Sequence, residues 1–571
     1  MSRPVLFVSA LLLVAAACTS SGDGAGTTTG APATSTTTTT TTTLPPPTTT
    51  TTTLPPTPDT AERAGLPWWN DRVFYEVFVR SFRDSDGDGR GDLQGVIDRL
   101  DYLNDGDPAT GDDLGVTGIW LMPVFESPSY HGYDVTDYRR IEPDYGTLDD
   151  FRALLDAAHD RGIAVIVDLV LNHTSRSHPW FAESFSGDPE YADWYVWSDE
   201  DPGWGGPDGQ TVWHPLGDRF YYGLFWDGMP DLNLTSSEVT AELHDVARYW
   251  LDEVGVDGFR VDASKHFVEA GSRQEHTAET VAWLEGFQSA VGEADPDALV
   301  VGEVWSPTVL SAAYVPDALD LTFDFDLAEA ILLAVEAGNP SPLEAAMDEV
   351  MEHYPQGQYA AFLSNHDQTR VMHRLNTVEK AKVAAALLFT NPGVPFVYYG
   401  EEVGMVGTKP DPRLRTPMPW TGDGPGVGFT DAIPWEPAQE GYEEANVADQ
   451  TGDRDSLLHH YRSLIRIRAE HPALRYGDFV PVDTGSNVAY AFLRTIGEDH
   501  VLVVVNVSRV ATASYSLEIP GGRLPGPVTA RTLLGVEASS PDVADDGSVA
   551  GYRPVPELAP YQVLVVALDE G

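Results

Sequence analysis

The chain is poor in cysteine and in basic residues, and both shortages narrow what the protein does. Cys18 is the only cysteine among 571 residues, so no internal disulfide is possible. Lysine and arginine together number 34 against 88 aspartates and glutamates, which gives a formal net charge of −54. Phosphate backbones require a basic face, so the sequence predicts no nucleic-acid partner and a strongly acidic, solvated surface.

The apolar run near the N-terminus is short for a membrane span. It extends from Val5 to Ala17, follows Arg3, and predicts a signal peptide over residues 1–17. The junction Leu13-Val-Ala-Ala-Ala-Cys18 resembles a bacterial lipobox, in which the cysteine is lipidated after cleavage. We therefore expect an extracytoplasmic protein that contacts the membrane only through a lipid anchor on Cys18. Ordinary secretion with cleavage nearby is the alternative.

The segment after the predicted signal peptide cannot form a core. Residues 18–62 are rich in threonine, with short proline-containing breaks, and this composition predicts a disordered or extended linker. Such a linker suits an anchored protein that works across a cell wall, although a spacer without function is equally compatible with the composition.

From Trp68 onward, apolar runs alternate with amphipathic stretches. Eight runs predict strands: Val73–Val79, Val116–Phe125, Ile163–Leu171, Val256–Val261, Leu299–Val304, Leu321–Phe325, Tyr359–Leu363 and Pro395–Tyr399. Thr147, with an acidic residue three positions later, predicts the start of a helix. Eight β-then-α units favour an α/β fold of the closed (β/α)8 type over an open sheet. No glycine-rich phosphate loop follows the first strand, which argues against a dinucleotide fold.

Two regions interrupt this alternation. Residues 174–230 follow the third predicted strand and are rich in tryptophan, which predicts an inserted domain over the barrel's active face. After a helix near Ser456–Arg468, short alternating strands predict an antiparallel β-sandwich over residues 476–571. The barrel itself is assigned to residues 63–475.

Five short segments carry the acidic, cationic and histidine side chains that a sugar-cleaving site requires. They are Asp168–His173, Met229–Asn233, Gly258–His266, Val301–Trp305 and Phe362–Asp367. Four of the five close an apolar run, which is where a (β/α)8 barrel presents its catalytic residues.

In this order, the segments resemble those of the α-amylase family of retaining glycoside hydrolases, over about residues 66–571. The resemblance implies that Asp262 is the nucleophile, Glu303 the acid/base and Asp367 a carboxylate that stabilises the transition state. Retaining cleavage places the first two carboxyl groups about 5–5.5 Å apart. Arg260 points to the same side of its strand as Asp262, and its positive charge favours the ionised nucleophile. Glu303 instead requires a drier site that raises its pKa.

The resemblance also implies a ring of substrate-binding residues. Those expected around the sugar at subsite −1 are His131, Tyr133, His173, Arg260, His366, Asp411 and Arg415. Lys265 and His266 resemble the pair that contacts subsite +2, beyond the bond that is cut.

The segment Asp84-Ser-Asp86-Gly-Asp88-Gly-Arg90-Gly-Asp92 has the spacing of a calcium loop. Alternating carboxylates with glycines between them can surround one hard cation with oxygen. Position twelve is Gly95, so the loop is not a full EF-hand; it resembles the Ca²⁺ loop of the oligo-1,6-glucosidase subgroup, with Arg90 contributing its carbonyl. An acidic turn without a ligand is the alternative. Asn172 matches a ligand of a second calcium in many amylases, whose partners the sequence does not identify.

Substrate preference depends on two details of the motifs. Met229-Pro-Asp-Leu-Asn233 resembles a subgroup intermediate between oligo-1,6-glucosidases and neopullulanases, whereas Ala263 and the Lys265-His266 pair resemble α-1,4-acting enzymes. We therefore expect a monomeric enzyme that cuts α-1,4-glucans internally. The alternatives are an oligo-1,6-glucosidase or α-glucosidase, a neopullulanase-like hydrolase and a 4-α-glucanotransferase. A non-catalytic carbohydrate-binding protein would lack some of the three carboxylates, and all are present.

Overall fold

A computed structural model of the chain describes residues 65–571, so the predicted signal peptide, the linker and Cys18 lie outside the described residues. The first part is built on one parallel eight-stranded sheet. Its strands are β1 (Phe74–Val77), β2 (Gly118–Leu121), β3 (Ala164–Leu169), β4 (Gly258–Val261), β5 (Leu299–Gly302), β6 (Leu321–Thr322), β7 (Ala360–Ala361) and β8 (Val394–Tyr398).

The sheet curls into a nearly closed barrel. Its order is β6-β5-β4-β3-β2-β1-β8-β7, so each strand lies beside its neighbours in the chain. The two edges meet where Phe323 forms a parallel bridge with Ala360 and the Asp324 amide donates to the Ala360 carbonyl at 3.1 Å. The predicted barrel is confirmed, and seven of its eight strands lie within the predicted runs, with β8 beginning one residue early.

Aromatic side chains fill the barrel interior. Phe74 on β1 stacks on Phe396 on β8 with ring centroids 4.7 Å apart, and Trp120 on β2 packs against Phe323. These residues are nearly inaccessible to solvent. Removing such rings from water is the main favourable contribution to closing the barrel.

Amphipathic helices surround the strands. The longer ones are Leu148–His159, Ser237–Arg248, Ala278–Ala294, Phe325–Ala337, Ser341–His353, Val378–Thr390 and Leu457–Glu470, and the short helix Leu93–Ile97 follows β1. Thr147 begins its helix as predicted, because its hydroxyl accepts from the Asp150 amide and the Asp150 carboxylate accepts in return. Within residues 65–571, no helix combines the length and the apolar character that crossing a membrane requires.

The second predicted run divides in the structure. After β2, Pro123 interrupts the chain, and Phe125–Glu126 pairs antiparallel with Asp137–Ile141. A proline lacks the amide hydrogen that a ladder requires, so the strand ends there. The resulting excursion carries His131 and Tyr133 back over the barrel, which the sequence pattern did not predict.

The inserted region has its own small sheet. Trp197–Ser198 and Trp213–Leu216 both pair with Arg219–Tyr222, and the helix Pro179–Ser186 packs beside them. Its last segment returns beside the chain that follows β3, since His173 bridges Asp231. This return brings the inserted region against the carboxyl ends of the barrel strands.

The C-terminal part is antiparallel. Its main sheet has the order β9-β10-β11-β13-β12, formed by β9 (Asp478–Pro481), β10 (Ala489–Ile496), β11 (Asp499–Asn506), β12 (Val528–Leu534) and β13 (Val563–Glu570). A second sheet joins Leu517–Ile519 to Val549–Tyr552. Arg494 on β10 donates to the carbonyl of Thr390, the last residue of a barrel helix, at 2.9 Å. This buried contact fastens the sheet to the barrel.

Candidate active site

One buried guanidinium joins three carboxyl groups at the carboxyl ends of β3, β4 and β5. Arg260 Nη1 lies 2.8 Å from Asp168 Oδ1 and 2.6 Å from Asp262 Oδ1, and its Nη2 lies 2.9 Å from Glu303 Oε2. The arginine is 1% exposed. Burial raises the pKa of Asp168 to about 7, although the positive charge of Arg260 acts in the opposite direction. The predicted nucleophile and acid/base are therefore brought together by the residue that the spacing had placed beside Asp262.

The turn after Asp262 is built to approach Glu303. Ala263 adopts a left-handed conformation with φ of 50°, which is costly for a residue with a side chain and is typical of functional sites. Its amide donates to Glu303 Oε2 at 3.1 Å. Burial raises the pKa of Glu303; the charge of Arg260 opposes this, and the charges of Asp262 and Asp367 add to it. A raised carboxyl pKa of this kind is what a general acid requires.

Asp367, after β7, is surrounded by cations. Its Oδ1 lies 2.9 Å from Arg415 Nη2 and 3.8 Å from Lys409 Nζ, and its Oδ2 lies 3.2 Å from His366 Nε2. Burial opposes ionisation, but the positive charges of His366, Arg415 and Lys409 hold its pKa well below the ordinary value. Asp411 pairs with Lys409 and lies 3.9 Å from Arg415, so the predicted Asp411–Arg415 pair reaches the site through Asp367.

The predicted aromatic and imidazole groups meet on the other side of Asp168. Tyr133 Oη donates to Asp168 Oδ2 at 2.9 Å and lies 2.8 Å from His366 Nε2. The Tyr133 amide donates to His131 Nδ1 at 3.1 Å, and His173 Nε2 lies 3.1 Å from the Tyr133 carbonyl. Burial lowers the pKa of His173 to about 4, so its ring is neutral near pH 7. Neutral imidazoles can bond sugar hydroxyls without adding charge.

Lys265 and His266 lie apart from the Arg260 cluster, on the rim beside β5. Lys265 Nζ donates to the Trp305 carbonyl at 2.9 Å and pairs with Glu275 at 2.9 Å. His266 Nδ1 lies 2.9 Å from the Gln274 carbonyl, and burial lowers its pKa to about 4. The pair therefore borders the side of the site on which Glu303 stands.

Two exposed rings beside the site were not predicted as functional. Trp305 is 46% exposed and stacks on Phe325 with centroids 4.6 Å apart. Phe225, from the inserted region, is 42% exposed, with its ring centroid 5.2 Å from that of His173. The sequence could have predicted Trp305 as a functional residue, because it lies two residues after Glu303. It gave no such indication for Phe225, because only the fold of the inserted region brings this ring beside the site.

The predicted calcium loop brings three of its acids together. Asp84, Asp86 and Asp88 place carboxylate oxygens within 4.8 Å of one another, a donor set that fits a hard cation. Asp92 faces away: its oxygens accept from the Ser85 and Gly95 amides, and it caps the helix that follows. Arg90 directs its guanidinium to Asp88 at 3.1 Å.

A distant segment closes over this loop. Thr430 donates its hydroxyl to Asp84 Oδ2 at 2.5 Å, and the Trp435 amide donates to the Gly89 carbonyl at 2.9 Å. Gly89 has φ of 94°, and a Cβ there would overlap the Ile433 carbonyl oxygen, so glycine is required. These hydrogen bonds thus hold the loop that follows β1 against the segment that follows β8.

Asn172, which the sequence matched to a ligand of a second calcium, is hydrogen-bonded directly to Asp231 of the inserted region. Asn172 Nδ2 donates to Asp231 Oδ2 at 3.0 Å, and the Leu224 amide donates to the other carboxylate oxygen at 3.0 Å. Burial raises the pKa of Asp231 to about 7. A direct hydrogen bond therefore ties the inserted region to β3. The signal was available, since Asp231 lies in the Met229–Asn233 segment.

Comparison with known proteins agrees with this architecture. Residues 76–477 match the family model "Alpha amylase, catalytic domain". Alpha-amylase 3 of Dictyoglomus thermophilum is 38% identical over 79% of this chain and 88% of its own length. The oligo-1,6-glucosidase of Parageobacillus thermoglucosidasius is 30% identical, over 81% and 93%. A crystal structure of an α-amylase from H. orenii is 41% identical, covers 87% of this chain and 99% of that one, and superposes with a TM-score of 0.76. The chain therefore belongs to the α-amylase family and is a glycoside hydrolase of the α-amylase type.

Proposed function

We propose that the enzyme cuts α-1,4-glucosidic bonds within starch, glycogen or maltodextrins, with retention of configuration. The observation that carries this proposal is the exposed Trp305 ring, which lies beside Lys265 and two residues after the acid/base. An indole face stacks on a sugar ring, and a platform beyond Glu303 gives a continuing glucan chain a place to rest. An exo-acting enzyme for short substrates has less use for such a surface.

The proposed chemistry proceeds in two steps. Asp262 attacks the anomeric carbon while Glu303 gives its proton to the departing glycosidic oxygen, which leaves a covalent glycosyl-enzyme. A water molecule then attacks the same carbon, Glu303 takes its proton, and Asp262 leaves. Arg260 Nη1, 2.6 Å from Asp262 Oδ1, holds this carboxylate in position for the attack. Asp367 is expected to bind sugar hydroxyls as positive charge develops at the ring.

One alternative keeps specific support. The alignment with the relative named oligo-1,6-glucosidase covers most of both chains, and the calcium loop of this chain resembles the loop of that subgroup. The rate of isomaltose hydrolysis must therefore be compared with the rate on α-1,4 substrates. Transfer of the glycosyl group to a second sugar uses the same covalent intermediate and is measured in the same experiment.

A substrate panel with two rim variants tests the linkage and the platform. Wild-type enzyme is expected to release short maltooligosaccharides from starch and to act slowly on isomaltose. Lys265→Ala and Trp305→Ala should each raise KM for long α-1,4 chains by about tenfold, because one contact of about 1.4 kcal/mol is lost. Maltotriose serves as the internal control, since it is too short to profit fully from the platform. Faster cleavage of isomaltose than of any α-1,4 substrate would instead identify an oligo-1,6-glucosidase.

We also propose that Ca²⁺ occupies the Asp84–Asp88 cluster together with the Arg90 carbonyl, whereas Asp92, which the sequence placed among the ligands, caps the following helix instead. Three carboxylates that face one another repel unless a cation lies between them. The hydrogen bond from the Asp88 amide lowers the pKa of Asp86, but burial and the charges of Asp88, Asp84 and Asp92 together raise it. A bound Ca²⁺ would supply structural support only, because the loop contributes none of the groups around Arg260.

The proposed location is the outer side of the cytoplasmic membrane, with a monomeric enzyme held there by lipid on Cys18. Cys18→Ser is expected to release the enzyme to the medium or to leave the signal peptide uncleaved, because the acyl acceptor is lost. Mass spectrometry of the N-terminal peptide and fractionation of cells measure both outcomes. Membrane association that survives the substitution, with no acyl mass on wild type, would contradict the anchor.

A further inference from the structure

Glu76 is a buried carboxyl group that takes no part in the two-step hydrolysis. It lies on β1, is 2% exposed, and places Oε1 2.6 Å from Nδ1 of His366. The other ring nitrogen of His366 lies 2.8 Å from Tyr133 Oη and 3.2 Å from Asp367 Oδ2. The fully buried imidazole is thus held between two carboxyl groups, one deep in the barrel and one at the sugar-binding surface.

The hydrogen-bonding capacity of these groups defines the charge on the ring. A carboxylate oxygen only accepts, so Nδ1 must carry a proton to bond Glu76. Tyr133 has one hydroxyl hydrogen, which it donates to Asp168 at 2.9 Å. Nε2 therefore also requires a proton, because both atoms that it faces, on Tyr133 and Asp367, are then acceptors. A ring protonated on both nitrogens is an imidazolium cation.

The surroundings agree with that assignment. Burial alone lowers the pKa of His366, but the charges of Asp367 and Glu76 outweigh burial and raise it to about 9. Groups from several elements face the ring or its two carboxyl partners. Among the described residues they are Glu76, Tyr133, Asp168, Asp367, Tyr398, Lys409 and Arg415.

We propose that Glu76 is a positioning residue that keeps His366 doubly protonated, so that Nε2–H holds Asp367 in place for the sugar. The role deepens the hydrolysis proposed for this site and does not depend on which linkage is cut. Glu76 touches no substrate and acts through His366. The cation also balances the negative charge of Asp367.

The substitution Glu76→Gln removes the negative charge of the side chain and keeps its shape. Glutamine retains an oxygen that accepts from Nδ1, but the negative charge is lost. The His366 ring therefore holds its second proton less tightly, and its pKa falls. A histidine whose pKa is raised keeps its cation below that pKa and loses it as pH rises through it. In the variant this loss should occur at least about one pH unit lower. The lone pair of Nε2 then faces the carboxylate of Asp367, and the contact becomes repulsive.

The test combines kinetics with a direct titration of His366. The kcat of Glu76→Gln relative to wild type is expected to be near one at acidic pH, to fall to about half by about pH 8 and to approach one-tenth above about pH 10. NMR of the full chain with labelled histidine should show the His366 pKa lowered in the same variant, with the resonance assigned from His366→Asn. Glu76→Asp restores the charge and should recover part of both effects.

Glu402→Gln is the matched control. Glu402 is also buried at the end of a barrel strand and accepts from the hydroxyls of Tyr75 at 2.8 Å and Tyr102 at 2.6 Å. Its substitution should not give a pH-dependent kcat ratio. An unchanged His366 pKa in Glu76→Gln, or a kcat ratio that is the same at every pH, would overturn the proposal. If Glu76→Gln does not fold, a wild-type His366 pKa below about 7 would overturn it equally. The NMR result is independent of substrate, so it does not depend on the proposed linkage.

Discussion

Asp262→Asn is expected to lower kcat on starch by several orders of magnitude and to leave the fold intact. The amide cannot attack the anomeric carbon, and no other carboxylate replaces it, since Asp168 is fully buried beneath Arg260. The loss should appear in kcat and in kcat/KM alike, because the contact is made in the transition state. Near-normal hydrolysis by a purified, folded variant would refute Asp262 as nucleophile.

Glu303→Gln and Asp367→Asn should produce similarly large losses on starch but differ on an activated substrate. Fluoride leaves without a proton, so an α-glycosyl fluoride should restore the first step in Glu303→Gln and not in Asp262→Asn.

Asp320→Asn provides the matched control for substituting a buried carboxyl group. Asp320 is nearly buried at the opposite end of the barrel, where it accepts from the Val300 amide and from Gln288. Its kcat should equal that of wild type. Equal losses in the control and in the three active-site variants would mean that the barrel, rather than catalysis, had been damaged.

Removal of metal by a chelator is expected to lower Tm, because a ligand that binds only the folded state stabilises it by mass action. At a free concentration one hundred times Kd, this stabilisation is about 2.7 kcal/mol. Asp86→Ala should start with the lower Tm and no longer respond to chelator. The segment Thr430–Trp435, which closes over the loop, should become more susceptible to proteolysis in both cases.

Asp107→Ala is the control for this measurement. Asp107 is an exposed acid in another acidic turn and accepts from the Ala109 amide, outside the three-carboxylate cluster. Its Tm should respond to chelator as wild type does. A wild-type Tm indifferent to chelator, with no metal found by elemental analysis, would leave the loop as a turn held by its own hydrogen bonds.

The local parts of this protein were predictable because each depends on residues close together in the chain. The apolar runs gave the barrel strands, Thr147 gave its helix start, and the two-residue spacing placed Arg260 beside Asp262. The segment after β2 was less predictable. Its strand of two residues is too short to show a period, so the excursion that carries Tyr133 to Asp168 was visible only once folded.

The sequence by itself determined the fold class, the family and the chemical character of the catalytic groups, because these depend on residue type and on spacing along single strands. The tertiary structure decided which groups share a charge environment. Glu76 reaches His366 across 290 positions of chain, and Phe225 reaches His173 only through the inserted sheet. The calcium loop shows the same division: its acids are local, but Thr430, which holds it closed, arrives from beyond β8. Contacts between distant segments depend on packing, which no local pattern encodes.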